Sequence, residues 1–385
     1  MERLRDFLIH KKQEGLLRTL RPISARQGTK IRLGGKDYID FSSNDYLGLS
    51  GHPRLIEASN KTAQEFGTAS SASRLLSGDL QIHHQLEEAV ARLKNKESAL
   101  VFNSGYQANI GIISTLFNKG DCIFSDRLNH ASIIDGIMLS GARFLRFKHN
   151  DMEQLEVLLK RERARFKRAL IVTETVFSMD GDRCPLKELV VLKEKYNCQL
   201  MVDEAHATGI FGQRGSGMVE EEGVSEQVDI IMGTFSKAMA GFGAYVAASK
   251  EIIEYLINTS RAFIYSTALP PAVIACDIAA LALVKEEPLR RKSLLESARY
   301  FRQGLRDKGF QVKGDSQIVP LIIGDNLKAV EAAQKLQEKG FWVLPIRPPT
   351  VPQGQARLRF SLSYDHDKEV LDRLIQVIAE SVTCS

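Results

Sequence analysis

The sequence predicts an α/β protein with a mainly parallel sheet flanked by helices, followed by a small C-terminal α+β domain. Three observations support this prediction. Short apolar runs of strand length alternate with helical segments from residue 98 to residue 248. Polar residues follow several of these runs, as at the carboxyl ends of parallel strands. The alternation stops at Pro288, after a long apolar helix predicted at residues 272–284.

The domain division follows from this change of pattern. We expect an N-terminal helix and hairpin segment at residues 1–45, a large domain at 46–287 and a small domain at 288–385. The chain has 385 residues, of which 44% are hydrophobic, and this is enough to build two cores. The composition is that of an ordinary globular protein.

Charge and cysteine content restrict the class of function. The net charge is +5 and basic residues are mixed with acidic ones, so no nucleic-acid surface is expected. No apolar run has the length of a signal-peptide core or a membrane span. The cysteines form no C-x-x-C pair and indicate reduced thiols: Cys122, Cys184, Cys198, Cys276 and Cys384. We therefore expect a cytoplasmic protein that binds neither membrane nor metal.

The N-terminal region predicts local elements. Leucines at helical spacing in residues 2–20 predict an amphipathic helix packed on another element. Residues 30–41 predict a hairpin that turns at Gly34 and Gly35. Residues 42–49 combine turn formers with apolar residues, so we expect this segment to be ordered and functional.

A loop of small residues follows at 67–78, with the sequence GTASSASRLLSG. Predicted helices at 54–66 and 82–93 fix both of its ends. A loop held in this way usually lines a site.

The central region alternates strands and helices. A strand at residues 98–102 turns through NSGYQAN into a helix, whose free backbone N–H groups would suit a phosphate. Further strands are predicted at 121–125, 143–147, 168–173, 199–202, 228–232 and 244–248. Further helices are predicted at 131–140, 151–163, 186–196 and 251–259.

Polar side chains gather at the ends of these strands: Glu174, Ser178, Asp203, His206, Thr234 and Lys237. Lys237 lies among small residues, which would let a bulky ligand approach its amine. The hydroxyls of Thr234 and Ser236 could bind a phosphate. A lysine in such surroundings can lose its proton near neutral pH and form a Schiff base.

Asp203, His206 and Lys237 together fit pyridoxal phosphate chemistry. A buried carboxylate keeps the ring nitrogen of that cofactor protonated, and a lysine carries the cofactor. The Asp-Glu-Ala-His string at 203–206 alone would also fit a nucleotide hydrolase or a capped turn. No Walker-type glycine loop with lysine precedes it, so the hydrolase reading fails.

The small domain predicts strands at 318–323, 341–346 and 356–362, with a last helix from residue 368. Arg347 begins a loop that its prolines stiffen.

Residues 41–385 resemble the α-oxoamine synthases, a family of fold-type I pyridoxal phosphate-dependent transferases. Several long motifs in the same order carry the resemblance, which makes it specific. They are SNDYLGL at 43–49, LNHAS at 128–132, VFSMDG at 176–181, VDEAHATG at 202–209 and GTFSK at 233–237.

The resemblance implies a role for each matching residue. Lys237 carries the cofactor and removes the α-proton, Asp203 pairs with the ring nitrogen, and His130 stacks over the ring. The remaining cofactor contacts are Ser178 and His206 at the phenolic oxygen, and Gly105, Tyr106, Thr234 and the partner subunit's Thr267 at the phosphate. The implied substrate contacts are Arg347 at the amino-acid carboxylate, Arg18, Asn44 and Thr350 at the acyl donor, and Ser73 near the α-carbon, with His130 shared.

Within the family, residues 324–326 and 346–359 are most similar to members that join L-alanine to a pimeloyl thioester. The resemblance therefore implies these substrates, with coenzyme A or a transient acyl carrier protein as carrier, and a homodimer with shared active sites. Glycine-using members share NHASIIDG at 129–136, so another amino acid and acyl donor on the same frame is the alternative. A non-catalytic domain of this fold is a weaker alternative, because Lys237 and Asp203 are both present. The stretch Ser70-Ser-Ala-Ser departs from the commoner glycine-rich loop.

Overall fold

The computed structural model describes residues 2–382, and these form two compact units. The large unit comprises His52–Phe177 and Arg183–Arg291. The small unit comprises the residues up to Gly51, the segment Ser178–Asp182 and the residues from Lys292 onward. The domain boundaries at 45/46 and 287/288 stay a prediction. Four of the cysteines carry free thiols, and Cys384 lies outside the described residues.

The helices and strands follow the predicted alternation through the centre of the chain. The helices are α1 (Glu2–Gln13), α2 (Pro53–Phe66), α3 (Gln81–Lys94), α4 (Gly105–Leu116), α5 (Ala131–Ser140), α6 (Met152–Glu162), α7 (Leu186–Lys195), α8 (Met218–Glu221), α9 (Lys250–Thr259), α10 (Arg261–Ile264), α11 (Pro271–Glu286), α12 (Pro288–Asp307), α13 (Asn326–Glu338) and α14 (Lys368–Ser381). The strands are β1 (Ala25–Gln27), β2 (Lys30–Leu33), β3 (Lys36–Asp40), β4 (Ser98–Phe102), β5 (Cys122–Asp126), β6 (Arg143–Phe147), β7 (Ala169–Glu174), β8 (Gln199–Asp203), β9 (Ile230–Thr234), β10 (Ala244–Ala248), β11 (Ile318–Gly324), β12 (Phe341–Trp342), β13 (Pro345–Ile346) and β14 (Ala356–Ser361).

The large unit is built on a seven-stranded sheet with the order β4-β10-β9-β8-β7-β5-β6. Strands β6, β5, β7, β8 and β9 pair in parallel. Strand β10 runs antiparallel to both of its neighbours, β4 and β9. The predicted mainly parallel sheet is confirmed.

Both faces of this sheet are buried. Successive residues of a strand point to opposite faces, so one apolar strand contributes to the core on both sides. In β7, Ala169 and Ile171 belong to one apolar cluster, which includes Leu155 of α6. Leu170 and Val172 belong to the other cluster on the opposite face. Near-continuous apolar strands are the expected result of covering a parallel sheet on both sides.

The small unit contains a four-stranded sheet, β1-β2-β3-β12, and a three-stranded sheet, β11-β14-β13. The predicted single strand at 341–346 is wrong, because its two halves belong to different sheets. Strand β12 pairs with β3 in parallel, whereas β13 pairs with β14 antiparallel. Val343 and Leu344 connect the two sheets.

Helix α1 is shorter than predicted. It ends at Gln13 rather than near residue 20, and Gly15 follows with a left-handed φ of 65°. Its apolar side chains are exposed, with Leu4 at 61% and Phe7 at 57%, so the predicted packing on another element is not found within the described chain. Across residues 2–382, no helix combines the length and apolarity needed to cross a membrane. Nor does this part of the chain group three or more His, Cys, Asp or Glu residues that could hold a metal ion.

Candidate active site

The carboxyl ends of β7, β8 and β9 meet at one edge of the large sheet. Glu174 ends β7 and pairs in register with Asp203, the last residue of β8. The sequence predicts that β9 stops at Met232, but the strand continues through Thr234. Lys237 follows three residues later, so the strand ends bring an acid and a lysine to the same edge.

A cavity of about 200 Å³ lies at this edge. Seven of the residues predicted for the site line it: Gly105, Tyr106, His130, Asp203, His206, Thr234 and Lys237. The structure therefore brings together the predicted lysine, acid, histidines and phosphate-binding turn.

Lys237 lies in the tight turn that follows β9. Its Nζ is 2.9 Å from Nε2 of His206, and its backbone carbonyl accepts a hydrogen bond from Ala240 N at 2.9 Å. The histidine thus holds the amine inside the cavity. His206 itself is buried, with 6% of its surface exposed, and comes from the loop after β8.

Two of the small residues around Lys237 also serve the packing of the protein itself. A Cβ on Gly233 would lie 2.2 Å from the hydroxyl of Tyr245, and a Cβ on Gly241 would lie 1.8 Å from Oδ1 of Asp277. Both glycines therefore allow close packing of the protein against itself. They fix the turn that carries the lysine.

Asp203 is 5% exposed and both of its oxygens accept hydrogen bonds. Oδ1 accepts from Ala205 N at 2.9 Å, and Oδ2 accepts from Nδ2 of Asn109 at 2.9 Å. The same Asn109 amide also donates to Oγ of Ser132 at 2.9 Å. These bonds fix the orientation of the carboxylate while leaving it on the cavity wall.

His130 joins the same network from the start of α5. Its Nδ1 is 2.8 Å from Oγ of Ser132, and its ring is edge-on to Tyr106 with centroids 6.2 Å apart. The side chain borders the cavity, where the surrounding protein atoms desolvate it. This desolvation lowers the pKa of His130, Asp203 opposes the shift, and Lys237 adds to it. A neutral ring is the form that stacks on an aromatic cofactor without a charge penalty.

The first turn of α4 supplies an anion site on the cavity wall. Gly105 and Tyr106 are its first residues, and N–H groups at a helix N-terminus have no partner within the helix. The hydroxyl of Thr234, which lines the same cavity, donates to Gly243 O at 2.7 Å and lies 2.7 Å from Oγ of Ser236. The backbone donors of α4 suit a phosphate, whereas the single hydroxyl proton of Thr234 already goes to Gly243.

Two predicted residues lie elsewhere in the large unit. Ser73 and Thr267 form an antiparallel bridge, and Ala268 N donates to Ala72 O at 2.9 Å. The small-residue loop is thus fixed, as predicted, and Ser71 adopts a left-handed φ of 55° where glycine is the commoner choice. Neither Ser73 nor Thr267 is among the described residues lining the Lys237 cavity.

The remaining predicted residues lie in the small unit: Arg18, Asn44, Ser178, Arg347 and Thr350. Three of them form one cluster. Arg18 Nη2 lies 3.3 Å from Oγ1 of Thr350, and Arg347 donates to the carbonyl of Gly15. Partial burial, with repulsion from Arg18, lowers the pKa of Arg347. Two cations that repel each other in this way favour an anionic ligand.

Arg359 of β14 is a candidate that the sequence did not indicate. It is 8% exposed, and its guanidinium donates to Ser178 O at 2.5 Å and to Oδ1 of Asn44 at 3.3 Å. Its other donors go to Oγ of Ser361 and the hydroxyl of Tyr46, and no carboxylate of residues 2–382 pairs with it. A buried guanidinium whose partners are all neutral oxygens is able to bind an anionic group.

Residues 36–378 match the family model described as aminotransferase class I and II. The chain belongs to this family. It is 50% identical over 371 residues to the 8-amino-7-oxononanoate synthase of Geobacter sulfurreducens. The alignment covers 96% of this chain and 95% of that relative. The resemblance to the α-oxoamine synthases is therefore confirmed.

Solved structures agree with this assignment of the fold. Serine palmitoyltransferase from Sphingomonas wittichii superposes with a TM-score of 0.93 at 35% identity, covering 98% of this chain and 96% of that one. A high-resolution structure of SPT with PLP as an internal aldimine superposes with a TM-score of 0.89 at 33% identity, covering 94% and 92%. The fold-type I prediction is confirmed.

Proposed function

We propose that the chain catalyses the decarboxylative condensation of L-alanine with a pimeloyl thioester, the 8-amino-7-oxononanoate synthase reaction of biotin biosynthesis. The observation that carries this proposal is the cavity that holds Lys237, Asp203 and His206 together. The 50% identity to a relative of that name supports the choice of substrates. The carrier of the acyl group is coenzyme A or acyl carrier protein.

The cofactor is pyridoxal phosphate, and the donor set of the cavity fits it. Asp203 is a buried acceptor for a protonated ring nitrogen, and the N-terminus of α4 suits the phosphate. Lys237 is the amine for covalent attachment, and the ring of His130 borders the same space. When bound, the cofactor withdraws electrons from the bonds at the amino-acid α-carbon.

The residues of the chain then have separate tasks. Asp203 holds a proton at the ring nitrogen, because its fixed carboxylate favours the charged ring. Lys237 takes the α-proton of alanine, and His206, 2.9 Å from its Nζ, positions the amine. His130, which borders the cavity, would exclude water from one side of the bound cofactor.

The net reaction balances through these steps. The α-carbon of alanine forms a bond to the thioester carbonyl, the C–S bond breaks, and the leaving thiolate takes a proton from water to become the carrier thiol. The alanine carboxylate leaves as carbon dioxide, its electron pair stays on the α-carbon, and one proton returns there. The products are 8-amino-7-oxononanoate, carbon dioxide and free thiol.

The cations of the small unit are proposed to bind the acidic ends of the substrates. Arg347 takes the amino-acid carboxylate, and Arg359 is a second candidate because no carboxylate of the described chain pairs with it. Arg18, Thr350 and Asn44 take the acyl donor. The 3.3 Å contact between Arg18 and Thr350 supports a joint role for those two.

Steady-state rates with L-alanine and glycine, each with pimeloyl-CoA, test the proposal. We expect alanine to be preferred by on the order of 10 to 200-fold in kcat/KM, the discrimination that one methyl-sized contact provides. Release of carbon dioxide and thiol in equal amounts is the second readout. A preference for glycine would overturn the assignment in favour of a glycine-using relative.

The same assay tests the role of Ser73. We expect Ser73→Thr to shift the preference toward glycine, because the added methyl fills the space proposed for the methyl of alanine. The expected change lies within about 1–3 kcal/mol of discrimination, and the cofactor spectrum stays unchanged. Ser77→Thr, in the same loop, is the matched control. An unchanged alanine-to-glycine ratio in Ser73→Thr would remove the role of this residue alone.

We further propose a cytoplasmic homodimer in which Thr267 reaches the cofactor phosphate of the partner subunit. The position of Thr267 supports this, because it pairs with the small-residue loop and not with the cavity of its own chain. Thr267 is exposed, and residues 67–77 are exposed or half-buried, so a second copy can reach both segments.

Mixed dimers test the shared site. We expect a Lys237→Ala chain mixed with a Thr267→Ala chain to regain part of the activity, because half of the heterodimer sites then carry neither change. Refolding each variant alone is the control. If mixing brings no gain, each chain forms its site alone.

A further inference from the structure

Glu174 is a buried acid on the cavity wall that the proposed mechanism does not use. It is 3% exposed and ends β7 beside Asp203 of β8. Its backbone N–H donates to Oδ1 of Asn129 at 3.2 Å, and the amide of Asn129 donates to Val172 O at 2.8 Å. Neighbouring strands and a buried asparagine therefore fix the backbone position of Glu174.

The carboxyl group of Glu174 is incompletely hydrogen-bonded. Its Oε1 has no partner among residues 2–382, although the backbone N–H of His130 faces the group. An unsatisfied buried oxygen is costly, and each such atom in a folded protein needs an explanation. Because the side chain lines the cavity, the explanation lies in what the cavity binds.

The charges around Glu174 come from three other elements. Asp203 of β8 and Asp126 of β5 are negative, and Lys237 after β9 is positive, with His206 beside it. Asp126 already pairs with His149, whose Nδ1 lies 3.1 Å away. Burial first, and then repulsion from Asp203, raises the pKa of Glu174 to about 8, while Lys237 opposes the shift. At neutral pH Glu174 therefore keeps its proton.

We propose that Glu174 is a positioning residue for the ring of the cofactor, a carboxyl group that keeps its proton in the cofactor-free protein and gives it up when the cationic ring binds beside Asp203. In the free site the protonated Glu174 avoids a second buried charge beside Asp203. In the bound site the ionised Glu174 adds a second negative charge, which holds the proton on the ring nitrogen more firmly.

The sign of the coupling follows from linkage. A positive charge beside an acid stabilises its ionised form, so binding lowers the pKa of Glu174 and releases a proton. Higher pH therefore favours binding. One released proton corresponds to a gain in affinity of at most about tenfold per pH unit. A glutamine at this position cannot contribute to that gain.

The test compares the affinity for pyridoxal phosphate of wild type and Glu174→Gln between about pH 6 and pH 9, together with calorimetry in two buffers of different ionisation enthalpy. Between about pH 7 and 8 we expect wild-type affinity to rise severalfold relative to the variant, with more proton release. Repeating the comparison in the Lys237→Ala background removes the proton exchange of Lys237, which is coupled to that of Glu174. Glu162→Gln is the matched control, a buried glutamate of α6 outside the cavity, and it should follow wild type.

Equal pH dependence and equal proton release in wild type and Glu174→Gln would overturn the role of Glu174. The inference rests on the proposed cofactor site. A wild-type chain that binds no pyridoxal phosphate would refute that site, whereas equal pH dependence in the two proteins would refute only the role of Glu174. If the variant does not fold, infrared difference spectra of wild type decide. Loss of a protonated-carboxyl band on binding supports the proposal, and no such loss refutes it.

Discussion

Lys237→Ala is expected to lower kcat/KM by at least about 10³-fold, because it removes both the point of cofactor attachment and the base for the α-proton. The purified wild-type protein should be yellow. Borohydride should fix the cofactor covalently on the peptide containing residues 233–243 in wild type and on no peptide of the variant. Mass spectrometry of the digested protein measures this directly.

The control for this variant is Lys250→Ala, which changes an exposed lysine at the start of α9. It should retain the colour, the labelled peptide and the activity. A labelled peptide outside residues 233–243, or labelling that survives in Lys237→Ala, would show that another lysine carries the cofactor.

Asp203→Asn is expected to lower kcat by about 10²–10³-fold, since it replaces a preorganised charge with a neutral amide of the same shape. Asparagine can still accept from Ala205 N, so the fold of the turn should survive. The cofactor should still attach to Lys237, but with an altered absorption spectrum, because the ring nitrogen loses its proton more easily. Spectra and single-turnover rates measure the two effects separately.

A buried carboxylate at the other end of the sheet provides the comparison. Asp121 precedes β5 and pairs with Arg168 at 2.7 Å. Asp121→Asn should lower the free energy of unfolding without changing the spectrum or the turnover of the folded protein. Equal losses of turnover in both variants would show that Asp203 acts only through stability.

The periodic part of the chain was predictable because both faces of the large sheet are buried. Strands such as β7 and β8 therefore read as continuous apolar runs that end in polar residues. The positions of Asp203, His206 and Lys237 follow from that pattern and from parallel pairing. Their convergence on one cavity needs no long-range information beyond the strand order.

The residues that sequence reasoning missed depend on contacts between distant segments. Asn109 donates to Asp203, 94 residues away, and Ser132 links it to His130. A signal existed, because Gly105 and Asn109 lie four residues apart on the same face of a helix. Arg359 had none, since an arginine in a strand is ordinarily assigned to the solvent-facing side. Its burial depends on Asn44, Tyr46 and Ser178.

Errors in the predicted elements also have physical causes. The single strand expected at 341–346 is continuous in hydrophobicity, yet its halves pair with β3 and β14, and only tertiary pairing decides between one strand and two. The helix predicted to residue 20 stops earlier because Gly15 takes a left-handed conformation. The spacing of apolar residues alone predicts neither the split of this strand nor the early end of the helix.

The place of β10 between β4 and β9 sets an order of events during synthesis. Phe102 of β4 pairs with Ala244 of β10, so the edge of the sheet beside the phosphate-binding turn cannot close until the later strand has left the ribosome. At about 5–20 residues per second the delay is on the order of ten seconds. During that time β4 has no sheet partner, and its apolar residues are exposed to aggregation or to a chaperone. A nascent chain arrested before β10 should therefore bind chaperones more strongly than one arrested after it.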